Sequence, residues 1–367
     1  MVRVLHIVNS LNRGGLETTL VNILRNIDRN KVMFDFLMHT SEECHYNEEV
    51  RSLGSKIYSI EGRRAGPIKY KNNLDKFFKE HPEYDIIHYH VSSLTNVSPL
   101  IAAKNNGVPV RIVHSRNTQE GGSGLHKYLH LLHRRNIKNY ATHYFACSDL
   151  AAKWLFGEKQ YNAGECVIIN NGIETERFVF NLENRNMLRQ ELKINDQLVL
   201  GNVGRFHHQK NHKFLVDIFY EVQKIQPNSV LLLIGDGELK GEIEQHIKEK
   251  GLSDKVIFTG VRSDIPNLLQ AMDIFVMPSF HEGLPGTIVE AQGAGLPCLL
   301  SDTITKQVGI TDLVQFMSLN DSANDWCKKI IDMTTNFTRR NTSEELKQAG
   351  YDMKSISKKL EEFYCKL

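Results

Sequence analysis

The sequence predicts two α/β domains, each built on a doubly wound parallel sheet. Three observations lead to this prediction. At 367 residues the chain is too long for one ordinary hydrophobic core and suits two domains of about 150–180 residues. Strand-like and helix-like segments alternate along it, as in parallel sheets with crossover helices. The alternation stops once, over the polar residues 174–196, and resumes at Leu198. We therefore expect two sheet domains with a cleft between them.

The first domain is predicted to begin with a buried strand at Val2–Asn9, followed by a helix at Glu17–Ile27 whose apolar residues share one face. Its further strands are predicted at Phe34–His39, Lys56–Ile60, Asp85–His90, Val110–Ser115, His143–Ser148 and Cys166–Asn170. Helical segments lie between most of these strands, which indicates parallel crossovers.

A short helix at Asn186–Leu192 leads into the second domain. Its strands are predicted at Leu198–Val203, Val230–Ile234, Val256–Thr259, Ile274–Met277, Cys298–Ser301 and Val314–Met317. The charged stretch from Asn341 to Leu367 has helical spacing, and it either caps the second domain or crosses back onto the first. We place the domains at residues 1–178 and 179–345, with the terminal helix at 346–367.

Composition narrows the class of protein. Lys and Arg number 45 against 43 Asp and Glu, so the net charge of +2 gives no reason to expect a nucleic-acid partner. The six cysteines form no C-x-x-C pair, which is typical of reduced thiols in a cytoplasmic protein. The first apolar run breaks at Asn9, and no apolar stretch reaches the roughly 20 residues of a membrane span. We expect a cytoplasmic protein whose membrane contact, if it has one, is peripheral.

The run LGNVGRFHHQKNH ends a strand at Val203, turns at Gly204 and presents Arg205 and Lys210 before the next helix. An arginine can grip phosphate oxygens with two N–H groups, a lysine adds a point charge, and a helix N-terminus adds free amides. The pair therefore suits a diphosphate. The alternative is two exposed basic residues on a loop.

The run LLLIGDGE places Gly235 and Gly237 around Asp236 at the end of a strand. Glycine permits a sharp turn or a close approach of the backbone to a ligand. An ordinary turn at a strand end accounts for the pattern equally well.

The segment Phe275–Ser301 contains Glu282 and Glu290, separated by seven residues that begin with a Gly-Leu-Pro turn. It is typical of a strand end, a turn, a short helix and the next strand, and such junctions bind ligands in open α/β sheets. Two carboxylates there can accept hydrogen bonds from vicinal hydroxyls of a sugar. The alternatives are a solvated loop carboxylate and an acid favoured by the helix macrodipole.

Taken together, these motifs resemble the retaining glycosyltransferases of family 4, a large bacterial family of GT-B fold with two Rossmann-like domains facing across a cleft. The resemblance covers nearly the whole chain and implies an enzyme of capsule or exopolysaccharide synthesis. The matching motifs are VGRFHHQKN, IGDGE, VIFTGV, MDIFVMPS and EGLPGTIVEAQGAGLPCLLSD, with the GG at 14–15, HYH at 88–90, VHS at 113–115 and INNGIE at 169–174.

The resemblance implies roles for five side chains. Arg205 and Lys210 would hold the diphosphate of a nucleotide-sugar donor, and Glu290 the ribose hydroxyls. Glu282 would face the transferred sugar, and His114 would lie beside that sugar. For His114 the alternative is a histidine that ends a buried strand.

The resemblance also implies that backbone groups and small residues complete the donor site. Residues Thr259 to Val261 would contact the base, mainly through their backbone, and Gly14 and Gly15 would line the phosphate and acceptor side. These residues are Gly14, Gly15, Gly204, Gly235, Gly237, Thr259, Val261, Gly283, Leu284, Pro285, Gly286 and Thr287. Relatives often carry bulkier apolar residues than Gly286 and Thr287, so this step is where we expect sugar specificity to be set.

The expected reaction transfers a sugar, with retention, from a UDP-sugar to a saccharide or lipid-linked saccharide acceptor. The charge that develops on the leaving phosphate needs a metal or fixed cations. Because the chain has no Asp-x-Asp run but has Arg205 and Lys210, we expect metal-independent transfer without a cofactor.

Residues 126–140 mix apolar side chains with Lys127, Arg134, Arg135 and Lys138. A basic amphipathic helix can lie on an anionic membrane, at the inner face where a lipid-linked acceptor would be found. The alternative is an ordinary crossover helix with a basic solvent face.

Two other classes of function stay open. A non-catalytic partner of another transferase would bind nucleotide sugars without transfer, and a nucleotide-sugar epimerase of GT-B fold would keep the sugar on its nucleotide. A dinucleotide-binding site is disfavoured, because the first strand is followed by NSLNRGG and not by G-x-G-x-x-G.

Overall fold

The computed structural model describes residues 1–117, 124–282 and 284–367. They form two compact units, Met1–Gly172 with Met353–Leu367 and Ile173–Asp352. These limits differ from the predicted limits after residues 178 and 345. The reason is that Ile173 pairs with Asp352 in an isolated β-bridge and Phe178 packs into the apolar core of the second unit.

The first unit is built on a parallel sheet of seven strands in the order β3-β2-β1-β4-β5-β6-β7. The strands are β1 (Val2–Val8), β2 (Val32–Met38), β3 (Ile57–Ser59), β4 (Ile86–Val91), β5 (Val110–Ser115), β6 (His143–Ala146) and β7 (Cys166–Ile168). The strand order reverses between β1 and β4, and the loops that leave the carboxyl ends of these two strands therefore diverge and open a crevice.

Helices cover both faces of this sheet, which explains why its strands are continuous apolar runs. The helices are α1 (Gly15–Asn26), α2 (Asn47–Ser52), α3 (Pro67–Glu80), α4 (Ser98–Asn105), α5 (Gly124–Asn136), α6 (Asp149–Phe156) and α7 (Glu158–Asn162). Leu20 and Leu24 of α1 pack on one face, while Tyr70 and Phe77 of α3 pack on the other.

The second unit has a parallel sheet of six strands in the order β10-β9-β8-β11-β12-β13. The strands are β8 (Leu198–Val203), β9 (Ser229–Ile234), β10 (Val256–Gly260), β11 (Ile274–Met277), β12 (Cys298–Ser301) and β13 (Val314–Met317). Here the order reverses between β8 and β11. The prediction of two doubly wound parallel-sheet domains is confirmed.

The helices of the second unit are α8 (Thr175–Phe178), α9 (Leu182–Glu191), α10 (His212–Ile225), α11 (Lys240–Glu249), α12 (Ile265–Ala271), α13 (Gly286–Gly293), α14 (Ala323–Thr334) and α15 (Ser343–Gln348). The last helix, α16 (Met353–Cys365), belongs to the first unit. Its residues Ile356, Leu360 and Tyr364 are buried in the same apolar cluster as Leu20 and Leu24 of α1. Among the described residues, no helix is both long enough and apolar enough to span a membrane.

Candidate active site

The loop that follows β8 carries Arg205 and Lys210. Gly204 directly follows the strand, residues His208–Lys210 form one turn of 3₁₀ helix, and α10 begins at His212. A Cβ atom on Gly204 would lie 3.2 Å from Cε of Lys210. The missing side chain of Gly204 therefore lets the lysine lie flat along the loop.

The loop that follows β11 is hydrogen-bonded to the loop that follows β8. Phe280 donates its backbone N–H to the carbonyl of Gln209 at 2.8 Å, and Gln209 Nε2 donates to the carbonyl of His281 at 2.8 Å. The rings of His208 and Phe280 stack with their centres 4.9 Å apart. Because β8 and β11 are the two strands between which the strand order reverses, the two loops meet where a ligand crevice is expected.

This contact brings together two of the predicted residues. Lys210 Nζ lies 2.8 Å from Oε1 of Glu282, and the two side chains are only 16% and 9% exposed. Glu282 is further fixed by a β-bridge to Ile304. The ion pair is therefore largely removed from solvent. Oε1 of Glu282 has no hydrogen-bond partner among the described residues, so the contact with Lys210 is an ion pair by distance without the geometry of a hydrogen bond.

Arg205 lies on the same loop but makes a different contact. Its side chain is 72% exposed, and Nη2 donates to Oε2 of Glu238 at 3.1 Å. Glu238 ends the IGDGE motif but was not among the residues predicted for the site. Exposed ion pairs contribute little to stability, so a ligand can exchange this partner at small cost.

The helix that follows, α13, begins at Gly286, and Pro285 stands at its N-cap without a side-chain hydrogen bond. The hydroxyl of Thr287 is buried and has no hydrogen-bond partner in the described part of the chain. A buried hydroxyl without a partner is costly unless a ligand supplies one. Leu284 precedes the helix half-buried, and Gly283 lies outside the described residues.

Glu290 is the fifth residue of α13, beyond the first turn. The helix macrodipole acts mainly on the first turn, so this alternative does not account for the glutamate. Burial raises the pKa of Glu290 to about 7, against a smaller opposite influence of Arg177. In the described structure no cation lies within 4 Å of this carboxyl group, which leaves it available to the hydroxyls of a ligand.

The two glycines of the IGDGE motif are explained by the packing of loops. Gly235 has φ = +140°, and a Cβ atom there would lie 2.1 Å from the carbonyl oxygen of Gly204. A Cβ atom on Gly237 would lie 2.4 Å from the carbonyl oxygen of Phe206. Protein backbone thus fills the space beside both residues, and the structure supplies a reason for glycine that needs no ligand.

Thr259 and Val261 flank Gly260 at the end of β10. Gly235 donates its N–H to the carbonyl of Gly260 at 3.0 Å, which joins this strand end to the IGDGE loop. The side chain of Val261 is exposed, and Gly260 has φ = +68° with open space where a Cβ atom would be. A planar ligand can approach the backbone here.

In the first unit, Gly14 and Gly15 begin α1 directly after the loop from β1. Gly14 is extended, with φ of −157° and ψ of 164° at the N-cap. A Cβ atom on Gly15 would meet nothing within 4 Å. A Cβ atom on Gly14, in contrast, would meet the carboxylate of Glu17, which therefore lies beside the start of the helix. The role of the two glycines on the phosphate and acceptor side stays a prediction.

His114 is placed differently from the expectation that it lies beside the sugar. It is 1% exposed, its Nδ1 lies 2.9 Å from Nε2 of His88, and its ring packs against Phe145. Burial lowers its pKa well below the usual range. The alternative, a histidine that ends a buried strand, describes this geometry.

His6, His88 and His90 lie beside it, with ring nitrogens within 4.8 Å of one another. Arg116 Nε donates to Nδ1 of His90 at 3.1 Å, and because arginine cannot accept, Nε2 of His90 carries the proton and donates to Nδ1 of His6 at 3.0 Å. The rings of His88 and His90 are stacked at 4.5 Å and 14°. A metal needs unprotonated nitrogens that converge on one point, so this group is better described as a hydrogen-bond network.

A cavity of about 970 Å³ opens at the carboxyl ends of the first five strands of the first unit. His90 and Arg116 line it, and His114 does not. Arg116 directly follows the VHS motif but was not among the residues predicted for the site. Burial lowers the pKa of Arg116 to about 10, so the guanidinium remains charged near neutral pH.

Each unit matches a family model. The model described as Glycosyltransferase Family 4 matches residues 13–177. The model described as Glycosyl transferases group 1 matches residues 184–353.

Two relatives and one solved structure are similar to the chain. The putative glycosyltransferase EpsF of Bacillus subtilis (strain 168) is 36% identical over 357 residues, or 95% of this chain and 93% of the relative. The UDP-Gal:alpha-D-GlcNAc-diphosphoundecaprenol alpha-1,3-galactosyltransferase of Escherichia coli is 30% identical over 252 residues, or 65% of this chain and 64% of that enzyme. The crystal structure of Anabaena Alr3699/HepE in complex with UDP has a TM-score of 0.80 at 20% identity and covers 100% of both chains.

Proposed function

The chain belongs to the family 4 glycosyltransferases, and we propose that it moves a sugar from a UDP-sugar to a saccharide or lipid-linked saccharide acceptor in the synthesis of a bacterial surface polysaccharide. The observation that carries this proposal is the largely buried pair of Lys210 and Glu282, whose atoms lie 2.8 Å apart where the strand order reverses. The pair sets a fixed cation beside a carboxylate that can accept sugar hydroxyls.

The donor's diphosphate would be held by two cationic side chains that differ in conformational mobility. Lys210 is held in place by Glu282 before the ligand arrives, so little conformational entropy is lost on binding. Arg205 is exposed and would leave Glu238 to grip the phosphate with two N–H groups. The remaining groups have matching chemistry, because Glu290 would accept from the ribose hydroxyls and Thr287 would donate to the sugar.

The proposed reaction breaks the bond between the anomeric carbon and the β-phosphate oxygen and forms a bond from an acceptor hydroxyl oxygen to that carbon. The hydroxyl proton passes to the leaving phosphate. Negative charge grows on that phosphate, and preorganised cations stabilise it more in the transition state than in the ground state. In the proposal, Arg205 and Lys210 supply the positive charge that stabilises the leaving phosphate, so the reaction requires no metal. The anomeric configuration is retained.

A peripheral contact of α5 with an anionic membrane suits a lipid-linked acceptor. Leu125, Tyr128 and Leu132 share one face of the helix and are 66%, 63% and 40% exposed. Lys127 and Arg135 lie beside them along the helix. Exposed apolar side chains flanked by basic residues favour the headgroup region of an anionic bilayer. The name of the Escherichia coli relative also specifies a diphosphoundecaprenol-linked acceptor.

The proposal is tested first by a thermal-shift screen across nucleotide sugars. A ligand present at 100 times its dissociation constant stabilises a protein by about 2.7 kcal/mol, so a UDP-sugar is expected to raise the melting temperature clearly. The donor that stabilises most is then used in a transfer assay, with the product's anomer assigned by NMR. We expect turnover to persist in EDTA. Hydrolysis or epimerisation without transfer to any acceptor would count against the proposal, and loss of activity that Mg²⁺ restores would contradict metal independence.

A further inference from the structure

We propose that the cavity of the first unit holds a phosphate group of the acceptor and that Arg116 is the residue that binds it. This inference rests on the proposed function and names the chemistry of its second substrate. In the proposed function the donor's phosphates are bound by Arg205 and Lys210, both in the second unit.

The cavity is formed by the carboxyl ends of neighbouring strands. Asn9 follows β1, His39 follows β2, Ser92 follows β4 and Arg116 follows β5, and all four line it. Its volume of about 970 Å³ is at the upper end of the range for small-molecule sites. It therefore has room for a saccharide together with a phosphate.

Arg116 is a half-buried cation whose hydrogen-bond partners in the described residues are neutral. Nε donates to His90 at 3.1 Å and Nη1 donates to Oδ1 of Asn171 at 3.3 Å. Burial lowers the pKa of all four neighbouring histidines, including His90, so these rings are uncharged near neutral pH. Within the ranges that the structure describes, no carboxylate lies within 4 Å of Arg116. Glu17 lines the same cavity and raises the pKa of Arg116, but beyond 4 Å it compensates the desolvated charge only in part. An anionic ligand in contact with the guanidinium would offset the remaining cost.

The guanidinium is also held in one orientation. His90 can accept from Arg116 only through Nδ1, and its other nitrogen donates to His6, which is itself buried. A guanidinium has five N–H groups, and these contacts engage two of them. As far as residues 1–117, 124–282 and 284–367 show, the remaining three are available to the oxygen atoms of a ligand in the cavity.

The rim of the cavity adds further positive charge. Arg63 and Arg64 line it and are exposed, and Arg63 is oriented by donation to the carbonyl of Thr95 at 3.0 Å. Among the acidic lining residues, Glu61 is paired with Lys69 at 2.5 Å.

Two further carboxylates line the same cavity. They are Glu42, which is exposed, and Glu17, whose pKa is raised by burial against smaller opposite influences of its own backbone and of Arg116. Arginine binds phosphate oxygens with two N–H groups, so each of the three arginines that line the cavity can bind a phosphate or diphosphate.

The test uses the full-length protein saturated with UDP and inorganic pyrophosphate as the probe, with binding measured by titration calorimetry. We expect pyrophosphate to bind the unaltered protein and to bind Arg116→Gln at least tenfold more weakly. The matched control is Arg29→Gln, which removes a guanidinium from the loop before β2, where its contacts are backbone carbonyls of α1. Circular dichroism and melting temperature establish that each variant is folded.

A second variant keeps the proposal testable if Arg116→Gln does not fold. Replacing both Arg63 and Arg64 by glutamine changes only exposed side chains and is expected to weaken pyrophosphate binding severalfold. Dimethyl phosphate as an alternative probe separates the two sources of the group. Tighter binding of pyrophosphate indicates a lipid-linked diphosphate, and tighter binding of dimethyl phosphate indicates a phosphodiester in a glycan.

Equal pyrophosphate affinity in the unaltered protein and in folded Arg116→Gln would overturn the inference, as would complete displacement of pyrophosphate by UDP. The proposed function fails in a different way. If pyrophosphate binds through Arg116 but no nucleotide sugar binds, the transferase proposal is wrong and the phosphate cannot be assigned to an acceptor.

Discussion

The two cations of the candidate donor site differ in how they are held, and this difference sets their contributions to catalysis. Lys210 is largely buried against Glu282, whereas Arg205 is exposed and paired with Glu238 at the surface. A buried lysine deprived of its carboxylate loses both charge compensation and position. We therefore expect substitutions of Glu282 to affect folding and turnover together, and substitutions of Arg205 to affect turnover alone.

Arg205→Ala is expected to lower kcat at least about a hundredfold, which is the usual loss when one preorganised donor to a developing charge is removed. The melting temperature should stay near that of the unaltered protein because the Arg205–Glu238 pair is exposed. Steady-state kinetics with the donor found in the screen measure the effect. Arg340→Ala, which removes another exposed arginine paired with carboxylates in the same unit, serves as the control. Near-normal turnover of Arg205→Ala would remove this residue from the site.

Glu290 makes donor binding depend on pH. Burial raises the pKa of its carboxyl to about 7, whereas accepting hydrogen bonds from ribose hydroxyls favours the ionised form. Donor binding should therefore release a proton, and affinity should fall up to about tenfold for each pH step below 7. Calorimetry with a UDP-sugar in buffers of different ionisation enthalpy measures the release. We expect it to vanish in Glu290→Gln and to persist in Glu242→Gln on α11. Unchanged proton release in Glu290→Gln would show that another group titrates.

The same raised pKa affects stability in the opposite direction. Since the folded state holds this proton more tightly than the unfolded chain, the contribution of Glu290 is complete below the ordinary pKa of 4.5 and is lost as the pH rises through about 7. Ionisation of Glu290 thus favours ligand binding while it costs stability in the free protein.

At the scale of elements, the candidate donor site depends on loops that follow neighbouring strands and touch through their backbones. Gly235→Ala places a Cβ atom 2.1 Å from the carbonyl oxygen of Gly204, at φ = +140°. We expect a loss of about 2–4 kcal/mol in the free energy of unfolding, because backbone on both sides must shift. Urea unfolding measures it.

The matched control for this substitution is Gly241→Ala, where a Cβ atom would meet nothing within 4 Å in the first turn of α11. It is expected to stabilise the protein by up to about 1 kcal/mol. If Gly235→Ala is as stable as Gly241→Ala, the contact between the loops is not as close as described.

The sequence predicts these elements well where local pattern determines them. All thirteen strands occur within a few residues of the predicted positions, because buried parallel strands are short apolar runs between turn residues. The boundary between the two units cannot be predicted in the same way from local pattern. Ile173 and Phe178 belong to the second unit through contacts with residues distant in sequence, such as Asp352, and no local pattern reports these contacts.

The same limit applies to the candidate sites. Motif spacing predicts Lys210 and Glu282 as site residues, and the structure places them in contact on loops that follow neighbouring strands at the switch in strand order. It does not distinguish His114, which is enclosed by other histidines, from Arg116, which lines the cavity two residues later. Successive residues of a strand alternate between the two faces of the sheet, but the point at which the chain leaves the sheet depends on tertiary packing.

At the scale of the whole molecule, the net charge of +2 gives no reason to expect attraction to an anionic surface. Attraction must then come from the local distribution of charge. The helix α5 concentrates Lys127, Arg134 and Arg135 within 13 residues that include no acidic side chain. Each basic residue near an anionic bilayer contributes about 1 kcal/mol, and the exposed Leu125 and Tyr128 add apolar area.

In a flotation assay, liposomes that contain anionic lipid are expected to carry the protein to the top of the gradient. Liposomes of neutral lipid are expected to leave the protein at the bottom. Replacing Lys127 and Arg135 by glutamate should abolish flotation, because it changes the local charge by four. Raised salt should weaken binding of the unaltered protein, since the interaction is screened within a Debye length of about 8–10 Å. The matched control replaces Lys240 and Lys248 of α11 by glutamate, which changes the net charge of the chain equally but in the second unit. Equal loss of flotation in both double variants would mean that net charge governs the attraction, and no preference for anionic lipid would leave α5 as a crossover helix with a basic solvent face.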